Sequence, residues 1–198
     1  MAIVWSCPLG VDAYASAGRD LDVPRMACPD CATPMGLWGW RGRDLRAGQA
    51  WRLWVRRQRC RPCGRSHVVL PAFVTHGRLD EVEVIGAAVE TMVGGAGARP
   101  VARALGLPHT TVRDWRRRFS DRAALLAAGL AAAAVALVGA APRLAADPER
   151  AAVEAVGAVW RALVRARRRV VGRRWAVANA VCGGHLLSTN THPPWAAA

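Results

Sequence analysis

Lysine is absent from this 198-residue chain, so all 28 basic side chains are arginine. Carboxylates are scarce too: 14 Asp and Glu leave a formal net charge of +14. Such a surplus says nothing about fold, but it favours a polyanionic partner: DNA, RNA or an anionic membrane surface. The use of arginine without lysine, beside abundant alanine and glycine, has the look of GC-rich coding. Coding bias does not account for the surplus itself, because Asp and Glu were available as well.

No secretory leader is expected either: Met1-Ala-Ile-Val-Trp-Ser-Cys7 has neither a charged start nor a long apolar stretch. A cytoplasmic, nucleoid-associated protein is expected. Six cysteines in such a chain point to metal ligation or free thiols, not to a disulfide framework. Long, strongly apolar runs are missing. Residues 123–142 carry no charge, and their length is near the ~20 residues of a membrane span. They are mostly alanine, however, with Gly129 and Gly139 inside, so a packed helix and no membrane contact are expected. No small-molecule substrate is evident.

The length allows one modest domain or two small ones. The pattern reads as α+β: a small β zinc ribbon, then a helix-turn-helix three-helix unit, then a C-terminal helical pair. The segments are a lead-in over 1–26, the ribbon over 27–76, the helix-turn-helix over 80–120, an Ala/Arg-rich helical region over 123–182 and a tail over 183–198. Residues 27–79 are the most basic, with ten arginines against two acids.

In the lead-in, Ile3–Trp5 reads as a strand and Val11–Ala17 as a short helix. Trp38 and Trp40 are expected on one strand face, as are Trp51, Leu53 and Val55, with Arg52, Trp54 and Arg56 opposite. Ser66–Leu70 is a third strand. Asp80 is expected to N-cap a helix, with Glu83 completing a capping box; Val82, Ile85, Val89 and Met92 follow at helical spacing. Pro100 to Leu105 and Pro108 to Ser120 read as two further helices around Gly106. Asp147-Pro148-Glu149 starts a helix that is expected to bury Val153, Val156, Trp160 and Leu163, with a possible break at Gly172.

Cys28-Pro-Asp-Cys31 and Cys60-Arg-Pro-Cys63 are two C-x-x-C knuckles. Two such turns complete the tetrahedral, all-thiolate shell that suits structural zinc. Redox dithiols and iron–sulfur ligation fit the same spacing. With four cysteines bound, zinc keeps no open position for a catalytic water, so its role would be in folding. Cys7 and Cys182 read as buried apolar residues. His67, His76, His109, His185 and His192 read as non-ligands.

From Ala98 to Phe119 the chain has helix-turn-helix form. Val112, Trp115 and Phe119 make one face of the second helix; His109, Thr110, Arg113, Arg116 and Arg117 make the other. Arg113 is placed to read guanine, with Thr110 and His109 meeting bases or phosphate. Arg116, Arg117 and Arg118 suit the phosphate backbone. The plainer reading is a three-helix core with a solvated basic face. Nine arginines between Arg41 and Arg65, Arg56 and Arg57 among them, suggest nucleic-acid contact by the ribbon too; a solvated surface fits equally. The cluster Arg165, Arg167, Arg168, Arg169, Arg173 and Arg174 extends that footprint, is solvated or binds a membrane surface.

The run from Trp51 to Pro71, WRLWVRRQRCRPCGRSHVVLP, resembles the zinc-binding ribbon of bacterial insertion-sequence transposases, in which a helix-turn-helix follows. The whole chain resembles an uncharacterised, transposase-like family of high-GC bacteria, as do its opening Val4-Trp-Ser-Cys-Pro8 and its ending Cys182-Gly-Gly-His-Leu-Leu-Ser-Thr-Asn-Thr191. The resemblance implies metal ligation by the paired cysteines and DNA contact by the second helix. Active transposases need three carboxylates on a ribonuclease-H-like core. Beyond the helix-turn-helix only Asp121, Asp147, Glu149 and Glu154 are available, so no enzymatic activity is expected. The expectation is a DNA-binding protein, a transposon-derived regulator or a targeting component of a mobile element, with paired half-sites suggesting a homodimer. RNA binding by the ribbon, with the helices as an assembly platform, is the alternative.

Overall fold

The computed structural model describes residues 1–166 and 172–188. A four-stranded sheet is built from β1 (Ala2–Trp5), β2 (Gly36–Ala47), β3 (Gln49–Arg59) and β4 (Ser66–Pro71), in the order β1-β4-β3-β2. β2 and β3 form a long hairpin that turns at Gly48, whose φ of 71° only glycine adopts freely. β4 returns antiparallel to β3, and β1 lies parallel to β4 with Ala2 opposite Val68 and Trp5 opposite Pro71. The opening residues therefore supply an edge strand to this sheet. They also supply α1 (Val11–Ala17), whose Tyr14 is buried against Phe73 and donates its hydroxyl to the Trp54 carbonyl at 3.1 Å. Leu45, Leu53, Val55 and Leu70 complete that core.

The alternation expected for β3 holds at Leu53 and Val55, which are buried, while Arg52 is exposed. The shared face expected for Trp38 and Trp40 does not form. The pairing slips between Leu37 and Gly39, a β-bulge that inserts one residue into β2. Trp40 faces Arg56, and Trp38 lies against Arg59. Arg56 and Arg59 are an odd number of steps apart on a strand paired regularly with β4, so the two tryptophans take opposite faces.

Among the described residues six helices follow: α2 (Val82–Val93), α3 (Ala98–Leu105), α4 (His109–Ser120), α5 (Ala123–Val138), α6 (Pro148–Arg165) and α7 (Arg174–Val181). Val82, Ile85, Val89 and Met92 of α2 meet Val112, Trp115 and Phe119 of α4 in one core. Asp147 caps α6, accepting from the Arg150 amide at 2.8 Å. Asp80 does not cap α2. It is buried and accepts from Arg46 at 2.8 Å, while Glu83 accepts from the Ala176 amide at 2.9 Å. The start of α2 docks on the sheet instead: the Val82 amide donates to the Phe73 carbonyl and the Glu81 amide to that of Arg46. Tertiary partners have replaced the capping box.

α5 ends at Val138, short of residue 142, where Gly139 turns left-handed with φ 70°. Leu126 and Leu130 are buried, but Leu125 is exposed. α6 buries Ala152, Ala155, Val156, Val159 and Ala162, leaving Val153, Trp160 and Leu163 only half-buried. The alanines of α5 and α6 allow close helix approach, which rotates the larger residues to the rim. The helical stretch after Asp147 is divided into α6 and α7, with Gly172 left-handed at φ 86° between them. Arg167, Arg168, Arg169 and the tail residues 189–198, His192 included, lie outside the described residues.

α7 joins the two parts. Trp175 packs edge-on against Phe119, 6.0 Å between ring centres, and donates to Glu90. Asn179 is fully buried and donates to the carbonyls of Ala72 and Val74, at 2.8 and 3.1 Å, on the chain leaving β4. Leu186 and Leu187 of the expected tail are also buried. Among the described residues, no single helix is long and apolar enough to cross a membrane.

Candidate metal centre and basic surfaces

The two knuckles sit at corresponding turns and share a backbone pattern. In the first, the Cys28 amide donates to the Thr33 carbonyl; in the second, the Cys60 amide donates to the Arg65 carbonyl. In each, the residue after the second cysteine is left-handed: Ala32 at φ 58° and Gly64 at φ 70°. Both turns thus aim their cysteines at a common point. The four Sγ atoms all lie within 4.8 Å of one another, with Cys28–Cys63 at 3.6 Å and Cys31–Cys60 at 3.3 Å. Four thiolates at ~2.3 Å from one ion would stand about 3.8 Å apart, so the cluster has the size and donor set of a tetrahedral metal site. Cys28 and Cys60 are buried beside Met35; Cys31 and Cys63 face solvent. Backbone hydrogen bonding at Thr33, and then its hydroxyl, hold the Cys31 thiol down to about 6. That favours a thiolate at Cys31, whereas burial pushes the Cys28 thiol up.

Beside the cluster lie Asp30, which was not singled out from the sequence, and His67, which read as a non-ligand. Asp30, inside the first knuckle, pairs with Arg65 at 3.3 Å and lies 3.8 Å from the buried His67 ring. The ligand atoms of Cys28, Asp30 and His67 also lie within 4.8 Å of one another. The Cys-x-x-x-His step from Cys63 to His67 was the available signal. Cys7 and Cys182 are buried away from this cluster, and burial pushes the Cys182 thiol up to about 12.

The second surface is the outer side of α4. Gly106, left-handed at φ 65°, closes α3 and redirects the chain into α4. Val112, Trp115 and Phe119 face inward, so His109, Thr110, Arg113, Arg116 and Arg117 are exposed and Arg118 is half-exposed. Their charges are not equivalent. Arg116 pairs with Glu149 at 3.1 Å; Arg117 and Arg118 both pair with Asp114, at 2.7 and 2.8 Å. Among the described residues no carboxylate pairs with Arg113, nor with the exposed Arg99 and Arg103 of α3. Those α3 arginines were overlooked in the sequence, although they flank Gly106 on its N-terminal side.

The expected ribbon arginines divide between the sheet faces. Arg56 lies over the Trp40 ring at 4.7 Å. Arg57 is opposite Gly39 and Val68 on the other face, half-exposed. Of the C-terminal basic group, Arg174 pairs with Glu90.

Comparison with curated proteins and with solved structures gave no match. The model of one family, a domain of unknown function (DUF6431), matches residues 28–118. The matched stretch holds both knuckles, most of the sheet and the helices up to Arg118 in α4.

Proposed function

We propose that this chain is a DNA-binding protein, a transposon-derived regulator or the targeting component of a mobile element. α3 and α4 act as a helix-turn-helix, and the sheet with its two knuckles acts as a zinc ribbon. The observation that carries the reading is the outer stripe of α4: it follows a left-handed glycine turn, is opposite a fully buried face, and presents Arg113 without a carboxylate partner among the described residues. A recognition helix presents its N-terminal residues to the major groove in this way. Cys28, Cys31, Cys60 and Cys63 would hold the zinc. With four thiolates it supplies cross-linking of a small β unit and no chemistry, in keeping with a protein that binds and does not catalyse.

The roles follow from position. Thr110 and His109, in the first turn of α4, meet bases or phosphate. A guanidinium at Arg113 reaches a guanine edge with two parallel hydrogen bonds, worth about 1–3 kcal/mol of discrimination. Arg116, Arg117 and Arg118, already engaged by carboxylates, neutralise phosphates after exchanging partners. Arg56 and Arg57 add sequence-independent affinity from the sheet.

The test is a contrast between two variants of the zinc-loaded protein, titrated against a selected duplex and a scrambled one. Arg113→Ala is expected to shrink the ratio of specific to random affinity by about tenfold or more. Arg57→Ala is expected to weaken both duplexes alike and lower the salt slope by roughly one. Equal behaviour of the two variants removes α4 as the reader.

A further inference from the structure

One face of the β2–β3 hairpin carries a feature that duplex recognition by α4 does not use. Arg43 stands opposite Leu53, Arg41 opposite Val55, and Gly39 opposite Arg57. These positions share a face, and the bulge at Trp38 brings its indole to the same side, with the Arg59 guanidinium 4.8 Å from the ring centre. The result is a strip of four arginines that ends at a tryptophan. Trp38 is 54% exposed and its neighbour Leu37 is 47% exposed. Beside the strip lies a cleft of about 350 Å³ lined by Val55, Val68 and Leu70, by Arg41, Arg43 and His76, and by Asp44, whose carboxylate is paired with Arg52 at 2.7 Å.

The charge of this strip is uncancelled. Among the described residues, Arg41, Arg57 and Arg59 have no carboxylate partner. Arg43 donates to the carbonyl oxygens of Thr75 and Arg78, which are neutral, and its Nε is buried without an acceptor. Burial, and then the adjacent Arg41 charge, lower the Arg43 pKa, so an anion in the cleft would relieve the crowding.

We propose that this strip binds single-stranded nucleic acid, with phosphates along Arg41, Arg43, Arg57 and Arg59 and an unpaired base stacked on Trp38. Charge complementarity selects a polyanion. The exposed indole selects the single strand, because bases within a duplex are stacked on one another and offer no free face, whereas an unpaired base does. An arginine beside the ring adds cation–π attraction to the same stack. The inference shares with the proposed function the reading of the basic surplus as a nucleic-acid surface, and Arg57 as a phosphate contact, but it rests on a different element from α4.

The experiment measures anisotropy of labelled oligodeoxythymidylate and oligouridylate of equal length, and of the selected duplex, with the full zinc-loaded chain. Trp38→Ala and Trp38→Leu are expected to weaken the single strand by about tenfold or more, the loss of one base stack. Trp38→Phe, which keeps a π face, is expected to retain most of the affinity. Duplex affinity should stay within about twofold for all three variants. Arg113→Ala should show the reverse pattern: duplex weakened and single strand kept. Zinc content and melting temperature establish that each variant is folded. Whichever oligonucleotide binds more tightly identifies DNA or RNA as the source of the strand. The proposal is overturned if Trp38→Leu binds single strands like the parent protein, or if single strand and duplex weaken equally.

Discussion

Arg78, in the loop after β4, pairs with Asp114 of α4 at 3.2 Å. The same carboxylate accepts from Arg117 at 2.7 Å and Arg118 at 2.8 Å. One acid therefore ties the loop that leaves the sheet to the helix that displays Arg113, and it restrains two of the arginines beside it.

Asp114→Asn is expected to lower stability by about 1 kcal/mol at neutral pH, since the pair is only partly screened from solvent. Burial pushes the Asp114 carboxyl upward, but hydrogen bonds from Arg117 and Arg118 and the charges of Arg118 and Arg78 outweigh it and hold the group below the usual carboxylate range. A depressed folded-state pKa means the contribution is full above the unfolded value of about 3.9 and is lost as pH falls through the folded one. Urea titrations across the acid range should show the parent and the variant converging there. The variant should also bind scrambled duplex more tightly at low salt, because Arg117 and Arg118 are released.

Zinc content gives a second check. One zinc per chain is expected, lost in Cys28→Ser and retained in Cys182→Ser. Chelation should melt residues 27–76 before the helices, as followed by amide exchange. Loss of metal from Cys182→Ser alone would refute the ligand set.

The left-handed residues of the knuckles make a finer test. Ala32 holds φ 58° at a position equivalent to Gly64. Ala32→Gly should raise stability of the zinc-bound form by up to about 1 kcal/mol, the relief of a strained β-carbon less the added entropy of glycine. Gly64→Val should weaken zinc about tenfold or more in a competition titration with a chromogenic chelator.

Gly86 lies under the indole of Trp175, where an added Cβ would overlap the ring. Gly86→Ala should therefore cost roughly 1–3 kcal/mol in denaturant unfolding, despite the better helix propensity of alanine. Combining it with Trp175→Leu should cost less than the sum of the single changes, as expected of two residues in contact. Additive losses would mean that α7 is not held at this point.

The features legible beforehand were those with local causes. Two residues between cysteines define each knuckle turn. Gly106 supplies a backbone conformation that other residues avoid. Asp147-Pro148 starts α6 because the cap and the fixed proline φ act within one turn. The inward faces of α2 and α4 follow from 3.6-residue spacing, which held at Ile85, Val89, Val112 and Trp115. In the same way the exposed stripe at Thr110 and Arg113 was readable as the complement of that face.

The sequence alone thus determined the knuckle turns, the starts of α4, α5 and α6, and the set of four cysteines. Tertiary structure alone decided which distant surfaces meet. Asp80 had a suitable identity for a cap, but Arg46 of β2 pairs with its buried carboxylate, and that ion pair with backbone bonds at its side replaced the local alternative. Ile3 read as a strand residue with no means of naming β4 as its parallel neighbour. Trp38 changed faces through a one-residue slip that no alternation pattern records. α6 turned its alanines inward because α5 offered alanines in return. Each outcome depends on a contact between residues far apart in the chain, whereas spacing and propensity report only on neighbours within a turn or two.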